Sequence, residues 1–338
     1  MSKRLIALLV LFCLAWTAAG TALLWPGSDD LDDPGDPALN NAGGAGPLDE
    51  IVSPGSAAID VPETKARPVP GEGLFAVTEA QAPYAVQPRL KNPPAAGILF
   101  DVDSGEVLWA RNPAEERPIA SLTKIMTALV VAERHGPGER VLVSEKAPGV
   151  EGSRIGLLKA GTKVPLGGLF LGLLMVSGND AAVALAEHDA GTVNGFVDQM
   201  NRRAELLGLN CSLFAGPAGL QDTGNHSCAY DLAAMARAAL ADPWIASVTR
   251  RRSAEVPFPV KGGTLSLANN HYFVQRGLRD VPKAQVTGLK TGLTNGAGRC
   301  YVTTARLGKR HLGVVLLDSP DPLRQVPRLL AAGFAATG

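Results

Sequence analysis

Residues 118–128 of the 338-residue chain read PIASLTKIMTA. Ser121 and Lys124 are three residues apart, so a helix would bring both side chains to one face, about one turn apart. Apolar surroundings lower the pKa of a lysine, and a neutral amine can take a proton from a serine hydroxyl. The pair suggests a nucleophile and its base, although the Ser-x-x-Lys pattern also arises by chance in many proteins. The helix is indicated by apolar residues at i, i+3, i+4, i+7 and i+8, namely Leu122, Ile125, Met126, Leu129 and Val130.

A second polar motif, Ser177-Gly178-Asn179, lies between two apolar helical runs. A tight glycine turn there can project Ser177 and Asn179 into a cleft, but such a turn is also an ordinary helix connection. Alone, this motif is weak evidence of a functional site.

A third motif, Lys290-Thr291-Gly292, follows the strand-like residues 286–289. Lys and Thr can bind an anionic group, and Gly lets a substrate backbone approach closely. The three motifs together, in this order, resemble the signature of penicillin-binding proteins and class A β-lactamases.

The periodicity of the other segments predicts an α+β fold. Apolar runs over residues 98–101 and 107–110 flank a turn, which is a hairpin signal, and two later runs over 300–306 and 311–317 repeat this pattern. We therefore expect an antiparallel sheet flanked by helices, in which the late strands join the early ones. Helical patterns cover residues 121–135, 169–176, 181–186 and 231–240.

The N-terminal part differs from the rest of the chain. Lys3 and Arg4 precede a largely apolar run over residues 5–25, which is an export signal long enough to span a bilayer. An uncleaved anchor is favoured, and cleavage stays an alternative. Pro- and Gly-rich, acidic sequence without periodicity follows, which predicts a disordered linker. The predicted organisation is an anchor or signal peptide over 1–25, a linker over 26–88 and a catalytic domain over 89–338.

Composition excludes several classes of protein. The 32 Lys+Arg residues balance 32 Asp+Glu residues, which argues against a strongly basic nucleic-acid binder. A hydrophobic content of 46% allows a sizeable core and excludes global disorder. Four Cys and five His are too few and too scattered to predict a structural zinc module.

Three segments resemble the serine D-Ala-D-Ala carboxypeptidases, the low-molecular-mass penicillin-binding proteins. They are residues 118–128, residues 176–182 (VSGNDAA) and residues 288–294 (GLKTGLT). The resemblance covers roughly residues 90–318. It implies a DD-peptidase/β-lactamase-like fold, in which a helical subdomain accompanies the sheet.

The resemblance also implies a reaction in which terminal D-Ala is removed from peptidoglycan stem peptides. Ser121 would attack the carbonyl of the penultimate D-Ala, and Lys124 would be the general base. Ser177 and Asn179 would relay protons and hold the peptide. Water would then hydrolyse the acyl-enzyme, so no metal ion or organic cofactor is needed.

The third motif would bind the substrate. Lys290 and Thr291 would hold the terminal carboxylate beside Gly292, and the backbone N–H groups of Ser121 and Leu293 would form the oxyanion hole. The expected partners are peptidoglycan stem peptides, β-lactams as inhibitors and a membrane contacted by the N-terminal segment, with no nucleic acid. The catalytic domain would lie outside the cytoplasm, in the cell envelope, or be secreted or periplasmic if the signal is cleaved.

The chain departs from the family pattern in three ways. Arg154 follows Ser153 where many relatives have a second Ser, and Asn269 stands where some relatives carry an Arg that helps to bind the substrate carboxylate. Many relatives also have a C-terminal β-domain and a terminal amphipathic helix, for which no counterpart is predicted. We expect the N-terminal span to replace that anchor.

Three other functions are possible on the same scaffold. A class A β-lactamase needs a Glu in an ExxxN setting to activate the deacylating water, and Glu187, Glu205 and Glu255 have none. A D,D-endopeptidase would use the same residues with a different cleft rim. A non-catalytic wall-binding or penicillin-sensing module would show a broken motif, and all three motifs are intact.

The cysteines and histidines allow further predictions. Cys211 and Cys228 flank a Gly-rich loop and form either a disulfide bond or two buried thiols. Cys300 is expected in the core. No histidine lies in a nucleophile motif, so we expect surface or core positions for His135, His188, His226, His271 and His311.

Overall fold

The computed structural model describes residues 74–78 and 84–336. These residues form eleven strands and eight α-helices, besides short 3-10 turns at Ala120–Thr123 and Ala147–Gly149. In chain order the elements are β1 (Ala96–Asp101), β2 (Val107–Arg111), β3 (Arg117–Pro118), α1 (Lys124–Arg134), β4 (Arg140–Leu142), β5 (Lys163–Pro165), α2 (Leu166–Met175), α3 (Asn179–Ala190), α4 (Val193–Leu206), β6 (His226–Ser227), α5 (Ala229–Ala241), α6 (Pro243–Thr249), β7 (Ser253–Pro257), β8 (Thr264–Ala268), α7 (Tyr272–Arg276), β9 (Gln285–Thr294), β10 (Gly298–Leu307), β11 (Arg310–Leu317) and α8 (Pro322–Ala336).

Five strands form one antiparallel sheet in the order β2-β1-β11-β10-β9. The late hairpin of β10 and β11 joins the early hairpin through β1, where Leu99 pairs with Val314. The predicted α+β fold, with the late strands beside the early ones, is confirmed. Strand β9 lies at one edge of the sheet and contacts the 3-10 turn that contains Ser121.

Helices cover both faces of this sheet. Successive side chains of a strand point to opposite faces, so β1 contributes to two separate cores. Ile98 and Phe100 pack in a large core with residues of α1 to α6. Leu99 packs in a smaller core with Leu329 and Leu330 of α8. The larger core supports the helical layer from which the first two motifs emerge.

Helix α8 is an element that the sequence patterns do not predict. It packs on β10 and β11, and Gly333 permits this close approach. A Cβ at Gly333 would lie 2.9 Å from a methyl carbon of Leu312 and 3.0 Å from one of Leu99. Pro327 lies inside the helix. Apolar residues recur at helical spacing around it, but proline normally ends a helix, so Pro327 argues against a helix in the sequence.

A short part of the predicted linker, residues 74–78, lies against the folded body. The Thr78 N–H donates to the Gly105 carbonyl at 2.9 Å, and the Arg237 guanidinium donates to the Ala76 carbonyl. A buried guanidinium needs hydrogen-bond acceptors, and this segment supplies one of them. Residues 74–78 therefore contact the folded body, and the boundary at residue 89 stays a prediction.

The predicted anchor over residues 1–25 and most of the predicted linker lie outside the described residues, so both stay predictions. Among the helices that are described, none is long enough and apolar enough to cross a membrane.

Candidate active site

The first motif forms the turn that leads into helix α1. Within this 3-10 turn the Thr123 hydroxyl donates to the Ala120 carbonyl at 2.8 Å and accepts from Asn225 Nδ2 at 2.9 Å. These bonds fix the backbone of the turn. Ala120 is buried, whereas Ser121 keeps part of its surface exposed. The predicted nucleophile thus lies at an accessible point of a rigid turn.

Lys124 lies at the centre of the site and is fully buried. Its Nζ is 2.9 Å from Ser121 Oγ, which brings the predicted nucleophile and base together. The same Nζ donates at 2.7 Å to Asn179 Oδ1 and at 2.7 Å to the Ala218 carbonyl. Each of these partners comes from a different part of the chain, so the position of the amine is fixed from three sides.

The surroundings of Lys124 favour its neutral form. Burial lowers the pKa of Lys124 well below the ordinary value of a lysine, and the charge of Lys290 lowers it further, against a smaller opposing effect of Asp180. A neutral amine has two N–H bonds and one lone pair. Asn179 and Ala218 can accept hydrogen bonds from the two N–H groups, which leaves the lone pair for the hydroxyl of Ser121.

The second motif forms the turn between helices α2 and α3. Ser177 is buried and has a φ of 60°. Asn179 is the first residue of α3, and its Nδ2 donates to the Glu151 carbonyl at 2.7 Å. The loop passes this closely because Gly152 has no side chain: a Cβ there would lie 2.8 Å from Asn179 Nδ2. The amide is therefore held so that its oxygen faces Lys124.

Asp180 is a supporting residue to which the sequence patterns assign no role. Its carboxylate accepts the backbone N–H groups of Ile155 and Gly156, each at 2.9 Å. These bonds hold the loop that contacts Asn179. The available signal was an acidic residue in the first turn of a helix, directly after a motif.

The third motif lies on β9, beside the turn of Ser121. Lys290 is almost fully buried, and its Nζ donates to the Thr291 carbonyl at 2.8 Å. Burial lowers the pKa of Lys290 to about 7. A carboxylate placed beside this amine would favour its charged form. Thr291 is also buried, whereas Leu293 is 43% exposed at the end of the motif.

Gly292 determines how closely β9 approaches the nucleophile. A Cβ at Gly292 would lie 3.0 Å from the Ser121 nitrogen, 3.0 Å from the Ile119 carbonyl and 3.1 Å from the Ala120 Cβ. Contacts this short are tighter than van der Waals packing allows. Glycine is therefore the residue that lets strand and turn meet without displacing either.

A loop over residues 217–222 forms one wall of the site. Besides the Ala218 carbonyl, it contributes Gly219, where a Cβ would lie 2.0 Å from the Ala120 carbonyl. Asp222 Oδ1 accepts from the Thr294 hydroxyl at 2.6 Å and so connects the loop to the end of β9. In the sequence this segment is Gly-rich, but no motif in it indicates a part in the site.

Cys211 and Cys228 form a disulfide bond across the base of this loop, with their Cα atoms 5.6 Å apart. Of the two states that the sequence allows, a disulfide bond or two buried thiols, the structure has the disulfide bond. Cys300 is a free, buried thiol in the core, as predicted, and burial raises its pKa to about 12.

Asn269 has a structural role. Its Nδ2 donates to the carbonyls of Thr249 at 3.2 Å and Arg251 at 2.9 Å, and its Oδ1 accepts the His271 N–H at 2.9 Å. The amide is therefore committed to the backbone and has no donor to spare for a substrate carboxylate. His271 is buried, which lowers its pKa to about 4 and keeps it neutral.

Two clusters of metal-binding side chains occur in the described residues. Neither includes a residue of the three motifs. In the second cluster both sulfurs belong to the disulfide bond, so they are not free to bind a metal. The clusters are His135, Glu139 and His188, and Cys211, Cys228 and Asp231.

Comparison with known proteins connects this site to one family. Residues 84–321 match the D-alanyl-D-alanine carboxypeptidase family. The chain is 31% identical over 282 residues to the D-alanyl-D-alanine carboxypeptidase DacF of Bacillus subtilis, covering 78% of this chain and 69% of that protein. It is 37% identical over 234 residues to the D-alanyl-D-alanine carboxypeptidase DacD of Escherichia coli, covering 66% of this chain and 57% of that protein.

A solved structure has the same fold. The crystal structure of the D-alanyl-D-alanine carboxypeptidase from Mycobacterium tuberculosis superposes with a TM-score of 0.68 at 32% sequence identity. The match covers 76% of this chain and 96% of that chain.

Proposed function

The chain belongs to the D-alanyl-D-alanine carboxypeptidase family of serine peptidases, and on that premise we propose that it removes terminal D-Ala from peptidoglycan stem peptides. Ser121 is the proposed nucleophile and Lys124 the proposed general base. One observation carries this proposal. Lys124 Nζ lies 2.9 Å from Ser121 Oγ, while Asn179 and Ala218 occupy its other two hydrogen-bonding positions.

Acylation begins when the Ser121 hydroxyl attacks the carbonyl carbon of the penultimate D-Ala. The proton of the hydroxyl passes to the lone pair of neutral Lys124 as the Oγ–C bond forms. The peptide C–N bond then breaks, and the departing amine of terminal D-Ala takes up a proton from the Lys124 ammonium, either directly or through Ser177. The products are free D-Ala and an ester on Ser121.

Deacylation reverses the proton transfers, with water as the nucleophile. Lys124, neutral again, takes a proton from the water while the water oxygen attacks the ester carbonyl. The C–Oγ bond breaks, and the Ser121 oxygen recovers a proton. Backbone N–H groups of Ser121 and Leu293 are proposed to stabilise the oxyanion in both half-reactions.

The terminal carboxylate of the substrate is proposed to bind Lys290 and Thr291. Lys290 is buried without a carboxylate in hydrogen-bonding contact among the described residues, and burial alone lowers its pKa to about 7. An incoming carboxylate would supply the missing counter-charge. This arrangement favours a substrate that ends in a free carboxylate, as a stem peptide does.

Enzymes of this family act on the cell wall, outside the cytoplasm. For this chain we propose that residues 5–25 hold the catalytic domain at the membrane. Their length and the preceding Lys3 and Arg4 support this proposal. Recovery of the protein only in the soluble fraction, with a new N-terminus near residue 21 or 23, would contradict it.

The activity is tested by incubating the full-length chain with a stem pentapeptide that ends in D-Ala-D-Ala. We expect one equivalent of free D-Ala per peptide, and no release by Ser121→Ala. Ser104→Ala, a change of a surface serine, is the matched control and should retain activity. Cleavage of cross-linked peptide dimers in preference to pentapeptide would favour an endopeptidase. No cleavage of either substrate would contradict the proposal.

A further inference from the structure

The C-terminal ends of helices α1 and α3 lie side by side. Lys124 and Asn179 are the first residues of these helices, so they lie at the other end of each. His135 follows the last residue of α1, and His188 lies in the last turn of α3. Glu139 lies in the short connection between α1 and β4. The eleven residues of α1 span about 16 Å, so this cluster is well separated from Ser121.

The three side chains already surround a common point. Glu139 Oε2 lies 2.9 Å from His135 Nδ1 and 3.3 Å from His188 Nε2, and all three donor atoms lie within 4.8 Å of one another. A tetrahedral zinc ion with ligands at 2.0–2.1 Å separates its ligand atoms by roughly 3.3 Å. Only small side-chain movements would therefore bring the donors to coordination distance.

A buried carboxylate supports the ring of His135 from behind. His135 Nε2 lies 2.9 Å from Asp189 Oδ1, and the Asp189 side chain is 0% exposed. Its second oxygen, Oδ2, has no hydrogen-bond partner among the described residues. Metal-binding histidines usually donate their other ring N–H to a carboxylate in this way, which turns the first nitrogen toward the metal. Glu139 is held similarly, because its Oε1 accepts the Gly136 N–H at 2.7 Å.

The local charge also favours a cation. The carbonyl ends of two helices carry partial negative charge, and the carboxylates of Glu139 and Asp189 add to it. The opposing charge is Arg134, whose Nε lies 3.3 Å from Asp189 Oδ1 and whose side chain is half exposed. Glu139 is 42% exposed, so an ion can reach the cluster from solvent.

We propose that His135, Glu139 and His188 bind a divalent transition metal of the zinc class, and that Asp189 is a positioning residue for His135. Two imidazoles and one carboxylate suit zinc better than the hard cations Mg²⁺ and Ca²⁺, which prefer oxygen ligands. The ion would tie the ends of α1 and α3 to the segment that leads into β4. Its role would be structural, because the cluster is remote from Ser121.

The test uses the full-length chain, purified without a polyhistidine tag and stripped of metal by a chelator. Calorimetric titration with Zn²⁺ should show one ion per chain, and added Zn²⁺ should raise the melting temperature, whereas Mg²⁺ should not. Glu139→Gln and His188→Gln should each weaken Zn²⁺ binding at least about tenfold, and Asp189→Asn about 10- to 100-fold.

His226→Gln is the matched control, since His226 is also partly buried and lies 3.6 Å from a carboxylate oxygen of Glu116. It should bind Zn²⁺ like the wild type. Circular dichroism in the near ultraviolet verifies that each variant is folded. The proposal is overturned if the wild-type chain binds no stoichiometric Zn²⁺ or if Glu139→Gln and His188→Gln bind it unchanged. If both variants fail to fold, the wild type decides: a melting temperature that Zn²⁺ does not raise would overturn the proposal.

Discussion

Gly292 lies against the backbone of Ser121 so closely that a Cβ on Gly292 would come within 3.0 Å of the Ser121 nitrogen. The strand that carries Lys290 and the turn that carries the proposed nucleophile are therefore in direct contact. Their relative position does not depend on mobile side chains, which is the kind of rigid support that a reacting centre requires.

We predict that Gly292→Ala slows acylation by penicillin about tenfold or more and leaves the fold intact. The added methyl group forces the turn and β9 apart, and overpacking of this kind costs about 1–3 kcal/mol. The measurement is the time course of adduct formation by intact mass spectrometry. Gly138→Ala, where a Cβ would meet nothing within 4 Å, is the control. Equal rates for both variants and the wild type would contradict the proposed role of this contact.

Asn179→Ala should lower the acylation rate about 10- to 100-fold. The change removes the oxygen that accepts from Lys124. Lys124 becomes charged as it takes the proton from Ser121, and a hydrogen bond to a charged group is worth about 1.5–3 kcal/mol. Asn201→Ala provides the control, because the Asn201 amide makes two bonds to the backbone of Phe214 and none to Lys124. Both variants should lose thermal stability, but only Asn179→Ala should react slowly. Similar kinetic losses in both would indicate a purely structural effect.

The pH dependence of kcat/KM should be bell-shaped, with both limbs below the ordinary pKa of a lysine. Activity rises as Lys124 loses its proton, and its lowered pKa places this limb below the ordinary lysine value of about 10.4. Activity falls as Lys290 loses the charge that binds the carboxylate, near its pKa of about 7. The two lysines interact, so the apparent values belong to the pair.

The assignment of the falling limb to Lys290 is tested by the variant Lys290→Arg. Lys290→Arg keeps a positive charge at all accessible pH values, so the limb should move upward by about one pH unit or more even if the maximal rate drops. A wild-type profile that climbs without decline to pH 10 would be inconsistent with this assignment.

Reduction of the disulfide bond between Cys211 and Cys228 should destabilise the protein. The two cysteines are 17 residues apart in sequence. A disulfide bond that closes a loop of that size adds about 3 kcal/mol to the free energy of unfolding. The melting temperature should fall by about 5–10 °C in dithiothreitol. The double variant Cys211→Ser/Cys228→Ser should melt lower from the start and show no further change with the reductant. An identical melting temperature with and without reductant in the wild type would refute this contribution.

The three motifs could be found from sequence because each combines chemistry with local structure. Ser121 and Lys124 share a helical turn, and Lys290 follows a strand. What joins the motifs could not be found this way. The contact of Lys124 with Ala218 and the approach of Gly292 to Ser121 depend on how distant segments pack, and neither leaves a periodic signal.

Residues with ordinary local patterns were also missed. Asp180 looks like a simple helix-start acid, yet it holds the loop beside Asn179. The cluster around Glu139 combines two residues of the connection after α1 with one residue of α3, so no single spacing in the sequence predicts it. Helix α8 was hidden by Pro327, although apolar residues on both sides of that proline are buried.

Trapping of the acyl-enzyme with penicillin tests the central claim most directly. A β-lactam resembles acyl-D-Ala-D-Ala, and the opened ring stays attached, so it blocks the approach of water. We predict that intact mass spectrometry shows one penicillin per chain for minutes or longer, that peptide mapping assigns it to Ser121, and that Ser121→Ala shows none. Rapid turnover of penicillin without a trapped adduct would favour a β-lactamase. An adduct on another residue, or no adduct at all in the folded wild-type chain, would contradict the assignment of Ser121 as the nucleophile.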